Sequence, residues 1–158
     1  MIGQLSRLEI EALLHNEVIA RIGCHTEGYT YIVPVTYAYD GEAIFGYSPE
    51  GLKLTMMREN PKVCVEVDRI DDPATWQSVI AHGTFQELSG AAADEAIRKI
   101  RARLVLQTIS ATAIPSHGLD PHARSLGRIR FSAYRIALES KTGRFERSDT
   151  VGRSKPPS

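Results

Sequence analysis

The feature that most constrains this chain is an alternating run closed by a tight turn. In residues 31–39, Tyr31, Val33, Val35, Tyr37 and Tyr39 share one face, and Ile32, Pro34, Thr36 and Ala38 the other. Asp40-Gly41 is a hairpin-turn dipeptide, and residues 43–47 return from it as a second strand. Further strand signals follow the same logic. Residues 18–24 place Val18, Ala20, Ile22 and Cys24 on one side before a turn at 25–28. Residues 63–67 are rich in β-branched side chains, and residues 76–88 form a long strand after Asp71-Asp72-Pro73. Residues 129–138 form the last major strand, with an alternation slip between Ala133 and Tyr134 that predicts a bulge. Lys141-Thr142-Gly143-Arg144 then leads into a short final strand. Strands joined by hairpins pair antiparallel, and six or seven of them with few helices curl into a barrel.

Three helices flank these strands. Ser6-Arg7-Leu8-Glu9 is a capping box, followed by Leu8, Leu13 and Leu14 on an apolar face up to His15. Ser48 is expected to cap a short second helix with Pro49 in its first position, and Asn60-Pro61 to stop it. Residues 89–107 carry Ala93, Ile97, Ile100 and Leu104 on one stripe. Residues 108–127 lack periodicity and read as a cover over a cleft. Residues 1–147 are expected to form one domain and residues 148–158 a disordered tail.

Nineteen basic residues balance nineteen acidic ones. That balance argues against a generic nucleic-acid or membrane-surface binder, and it favours an oligomer with a covered face. Cys24 and Cys64 lie in apolar strand runs, where free thiols act as small hydrophobes. With no secretory leader pattern or membrane-length apolar stretch, the expected compartment is the cytoplasm. Cys24-His25 and the distant Cys64 lack zinc-site spacing, and His117 and His122, in a polar loop with Asp120, could bind a metal only by folding together, so no metal is expected.

Several pieces in fixed order then carry a resemblance. They are the stretch from Val33-Pro34-Val35-Thr36 to Asp40-Gly41, Ile44-Phe45-Gly46-Tyr47-Ser48, Gly51-Leu52-Lys53, Asn60-Pro61-Lys62-Val63-Cys64, Trp76-Gln77-Ser78-Val79, Gly83 and Thr142-Gly143-Arg144-Phe145-Glu146. Together they resemble the pyridoxamine 5'-phosphate oxidase-like flavin-binding proteins, and within them the nitroimidazole-resistance (Nim-type) branch. The resemblance implies a mainly β (α+β) fold, a six- to seven-stranded, mostly antiparallel split β-barrel. It also implies a homodimer with flavin mononucleotide (FMN) at the subunit interface.

By the same resemblance, Val33, Pro34, Val35 and Thr36 lie along the flavin ring, and Trp76 and Ser78 approach the cofactor. Tyr47 stands where Nim-type proteins often carry a histidine. Ser48, Gly51, Leu52 and Lys53 form the phosphate end, which suits the chemistry. A phosphate calls for a hydroxyl, helix N–H groups and a cation. Proline inside a strand suits an edge that keeps backbone groups free for another partner. The expected function is a flavin-dependent oxidoreductase acting on an unidentified small molecule. The alternatives are a flavin carrier or sensor without turnover, or a relative binding deazaflavin or haem. No catalytic residue is assigned.

Overall fold

Ser6 caps the first helix by the expected reciprocal bonds. Its Oγ accepts from the Glu9 backbone N–H at 3.3 Å, and its own N–H donates to the Glu9 carboxylate at 2.8 Å. The computed structural model describes residues 1–107 and 130–148, so the expected cover at 108–127 and nearly all of the tail lie outside the described residues. In chain order the elements are β1 (Ile2–Gln4), α1 (Arg7–Asn16), β2 (Ile19–Thr26), β3 (Tyr29–Thr36), β4 (Ala38–Tyr39), β5 (Ala43–Pro49), α2 (Leu52–Glu59), β6 (Lys62–Asp72), β7 (Thr75–Leu88), α3 (Gly90–Gln107) and β8 (Phe131–Glu146). No helix among the described residues is long and apolar enough to cross a membrane.

The strands form one eight-stranded antiparallel sheet in the order β3-β2-β6-β7-β8-β5-β4, with β1 also on β8. This matches the split-barrel expectation, with one short strand beyond the expected count. The main core sits on one face of the sheet. It gathers Ile22, Ile44, Val65, Val67, Val79, Tyr134 and Ile136 from the sheet, Leu13 and Leu14 from α1, and Leu54 and Met57 from α2. A second, smaller core lies on the opposite face of β5 and β8. There Ala43, Phe45 and Ala133 pack against Ala96, Ile97 and Ile100 of α3.

Leu8 departs from expectation: it is 82% exposed, and Ile10 takes its place in the core beside Leu13 and Leu14. Ile10 follows Leu5 at the spacing of a hydrophobic staple, and both join the core. The strand at residues 31–39 breaks at Tyr37, where Tyr37 and Ala38 are both buried.

Two further expectations are corrected. Ser48 and Pro49 belong to β5, and α2 begins at Leu52 after Gly51. Cores on both sides of β5 bury four successive residues, Ala43 to Gly46, which erases the alternation that marks a strand. The bulge is also elsewhere. Pairing is regular through Ala133 and Tyr134, opposite Tyr47 and Gly46, because the two residues face the two different cores. The register slips at Glu139, opposite His82 and Gly83, and β8 then continues through Lys141 and Gly143 as one strand. Gly83 is required there, since a Cβ would sit 2.5 Å from the Ala137 carbonyl oxygen.

Candidate functional site

β3 ends the sheet order and pairs with β2 alone among the described residues. The Tyr37 N–H donates to the Val18 carbonyl, and Val35 and Val33 stand two and four residues before it in the same register. Antiparallel ladders alternate, so the backbone groups of Val33 and Val35 point to β2. Those of Ile32, Pro34 and Thr36 point to the open edge. Pro34 therefore costs no ladder bond. The four expected ring-side residues divide in two: Val33 and Val35 are half-buried toward the core, while Pro34 and Thr36 are exposed.

The expected phosphate end is assembled from α2. Gly51 stands at the N-cap without a side-chain cap bond, and the first helical bond is Thr55 N–H to the Gly51 carbonyl. The N–H groups of Leu52 and Lys53 thus lack an intrahelical acceptor. Gly51 has φ 172°, an extended value, and a Cβ there would meet nothing within 4 Å. Leu52 is half-exposed.

Lys53 has no ion pair among the described residues. It is partly buried, which pushes its ammonium below the usual lysine value, and Cys24 opposes that shift. Its Nζ lies 5.9 Å from the centroid of the Tyr134 ring. Among the described residues the Tyr134 hydroxyl is buried without a hydrogen-bond partner, and burial pushes its pKa up, which keeps the phenol neutral. Sequence reasoning missed Tyr134. The signal available was Gly46, its cross-strand partner, where a Cβ would lie 2.2 Å from the tyrosine Cζ.

Ser48 faces the interior and is 6% exposed, with a long 3.4 Å bond from Oγ to the Pro49 carbonyl. Tyr47 points to the other face and stacks on Phe131, centroids 5.2 Å apart at 20°. Trp76 donates its indole N–H to Glu146 at 3.0 Å. The Ser78 Oγ donates to Glu66 at 2.9 Å.

A groove of about 640 Å³ lies on the outer face of β2, β3, β6 and β7. Register builds it in rows. One row runs Ile32, Gly23, Cys64, His82, and the next Pro34, Arg21, Glu66, Ile80. Gly23 has no side chain to fill the floor, and Ile32 and Ile80 wall it. None of the sequence-expected site residues lines the groove. Pro34 and Ser78 border it on the same face through Arg21 and Glu66.

The model of the family described as pyridoxamine 5'-phosphate oxidase matches residues 6–145. An uncharacterised protein of Rhizobium meliloti (strain 1021) is 36% identical over 84 residues, covering 53% of this chain and 56% of that protein. The chain thus spans about half the length of that curated relative. Among solved structures, a FAD-binding protein from Mesorhizobium loti superposes with TM-score 0.71 at 28% identity, covering 93% of this chain and 99% of that one. A candidate 5-nitroimidazole antibiotic resistance protein from Bacteroides thetaiotaomicron gives 0.68 at 17%, covering 92% and 87%. The FAD binding protein from Mycobacterium smegmatis gives 0.63 at 23%, covering 92% and 100%. The family match spans nearly the whole described fold, from the helix cap at Ser6 to Phe145 on β8, and this chain belongs to the pyridoxamine 5'-phosphate oxidase family.

Proposed function

We propose that this chain binds a flavin, FMN, between the open edge of β3 and the start of α2, and acts as a flavin-dependent oxidoreductase on a small molecule. The observation that carries the reading is the pairing of β3. Its carbonyls at Ile32, Pro34 and Thr36, and N–H groups at Ile32 and Thr36, are free among the described residues and suit the polar edge of an isoalloxazine ring.

The other end fits a phosphate. Among the described residues Lys53 is a cation with no carboxylate to neutralise it, beside uncapped helix N–H groups. Lys53 would hold the phosphate by charge, with the N–H groups at the start of α2 donating to it. Ser48 contributes depth to that wall rather than a helix cap. The flavin supplies hydride or single-electron transfer when bound, and the protein supplies orientation.

Lys53→Ala tests this. Losing a charge-assisted bond costs roughly 1.5–3 kcal/mol, so the flavin dissociation constant should rise by about tenfold or more. An unchanged constant removes Lys53 from the site.

FAD is the second reading, supported by the Mesorhizobium loti and Mycobacterium smegmatis proteins described as FAD-binding. We also propose a homodimer across the outer sheet face, where Ile19, Ile32, Ile70 and Ile80 are exposed. Light scattering that gives a monomer with full flavin affinity would rule out a site shared between subunits.

A further inference from the structure

Arg58, in the last turn of α2, holds two carboxylates at once. Its Nη1 and Nη2 donate to Glu50 at 2.7 and 2.8 Å, and its Nε and Nη2 donate to Glu87, near the end of β7, at 2.8 and 2.7 Å. Glu50 is tied twice more. The Ser132 Oγ donates to its carboxylate at 2.9 Å, and its backbone N–H donates to the Arg130 carbonyl at 2.9 Å. Isolated surface ion pairs contribute little, but bidentate pairs joined in a network are the exception.

Glu50 stands one residue before Gly51, the N-cap of α2. Gly51 itself fixes nothing: no side chain caps the helix, and the space where a Cβ would stand is open. A glycine is the freest link in a backbone. Leu54, Met56 and Met57 anchor the body of α2 in the core, but Leu52 is half-exposed and Lys53 only partly buried, so the first turn lacks that anchor. Helical side chains lean toward the N-terminus. Arg58 therefore reaches back along α2 and closes a strap from its last turn to the residue before its cap.

We propose that Arg58 is a positioning residue for the phosphate end: acting through Glu50, it fixes the Gly51 turn so that the Leu52 and Lys53 N–H groups and the Lys53 ammonium meet one phosphate together. Arg58 does not itself bind the ligand, because Glu50 and Glu87 occupy the two edges of its guanidinium. The inference rests on the flavin reading of that end.

The test compares one ring with and without its phosphate. FMN and riboflavin are titrated against flavin-free protein at neutral pH by fluorescence quenching, below the unfolding temperature of each variant. Arg58→Met should raise the FMN dissociation constant about tenfold or more, the loss of one well-placed charge-assisted bond. Wild type and Arg58→Met should hold riboflavin alike, within about twofold. An Arg58 that only stabilised the fold would act on both flavins or on neither. Glu50→Ala, at an exposed position, should match Arg58→Met, and carries the test alone if Arg58→Met does not fold. The two substitutions together should weaken FMN no further than the weaker-binding single variant. Glu87→Gln keeps the Arg58–Glu50 pair and should leave FMN binding within about twofold of wild type.

Amide hydrogen exchange of the flavin-free protein reads the turn without a ligand. The Thr55 N–H makes the first helical bond, to the Gly51 carbonyl. Measured relative to the amide of the core residue Ile22, it should exchange about tenfold faster in Arg58→Met than in wild type.

Unchanged FMN affinity in Arg58→Met overturns the proposal. So do equal losses of FMN and riboflavin, a Glu87→Gln effect as large as that of Arg58→Met, losses that multiply in the double variant, or Thr55 exchange that Arg58→Met leaves unaltered. Wild type that binds neither flavin defeats the flavin reading, and the exchange result then decides the strap by itself.

Discussion

Removing a single oxygen should make the flavin-free protein more stable. Tyr134→Phe deletes the hydroxyl that is buried without a partner and keeps the ring that packs against Phe85 at 5.6 Å. A buried polar group left unsatisfied costs about 1–3 kcal/mol. Part of that gain is offset by the contacts the oxygen makes with neighbours such as Gly46. A net stabilisation of about 1 kcal/mol follows, which for a chain of this size raises Tm by about 2–4 °C. Thermal unfolding of flavin-free wild type and variant, followed by circular dichroism, measures it. The same variant should bind flavin with unchanged affinity, because the hydroxyl is sealed in the core. A lower Tm for the flavin-free variant would refute the reasoning about the orphaned hydroxyl. Weaker flavin binding by the variant would refute the sealing of that hydroxyl from the ligand.

Other consequences follow from the same contacts. Gly46→Ala forces a Cβ to within 2.2 Å of the buried Tyr134 ring, and should cost about 1–3 kcal/mol by overpacking, seen as a lower midpoint in urea. Gly46→Ala combined with Tyr134→Leu should recover part of the Gly46→Ala cost, measured as a coupling energy in a double-mutant cycle. The pH dependence has a definite sign at Glu50. Hydrogen bonds from Arg58 and Ser132 lower its carboxyl from 4.5 to about 2. Stability from this group is complete above about pH 4.5 and is lost as pH falls through about 2. Arg58→Met should therefore lower Tm at neutral pH, with the difference from wild type shrinking between pH 5 and 2. A difference constant across that range would show that Arg58 acts by packing alone.

Local signals in this chain were readable where one face met water. The capping box at Ser6 and Glu9, the Asp40-Gly41 turn and the apolar stripe of α3 all formed where the pattern placed them. Legibility failed where the sheet is covered twice. β5 and β8 lie between the main core and α3, so Ala43 to Gly46, and Ala133 with Tyr134, lose their alternation. Ser48-Pro49 then looked like a helix start, although both residues extend a strand. Pro34 was read correctly as an edge residue, because the reason for it is local: it has no N–H to lose.

The groove could not be read in advance. Its rows join residues from β2, β3, β6 and β7 that are neighbours only once register is set, and Glu139 reaches it only because of the bulge opposite Gly83. Tyr134 was hidden for a similar reason. A tyrosine in an apolar run gives no sign that its hydroxyl will be sealed without a partner, and only its pairing with Gly46 reveals the close fit.

The central claim is that the β3 edge and the Lys53 region hold a flavin. The most direct test is the absorption spectrum of the purified chain, with the mass of the ligand released on denaturation. The expected result is an oxidised-flavin spectrum and the mass of FMN. A flavin spectrum with the mass of FAD would keep the site and replace the mononucleotide. Colourless protein that gains no flavin absorbance on reconstitution with either would contradict the account.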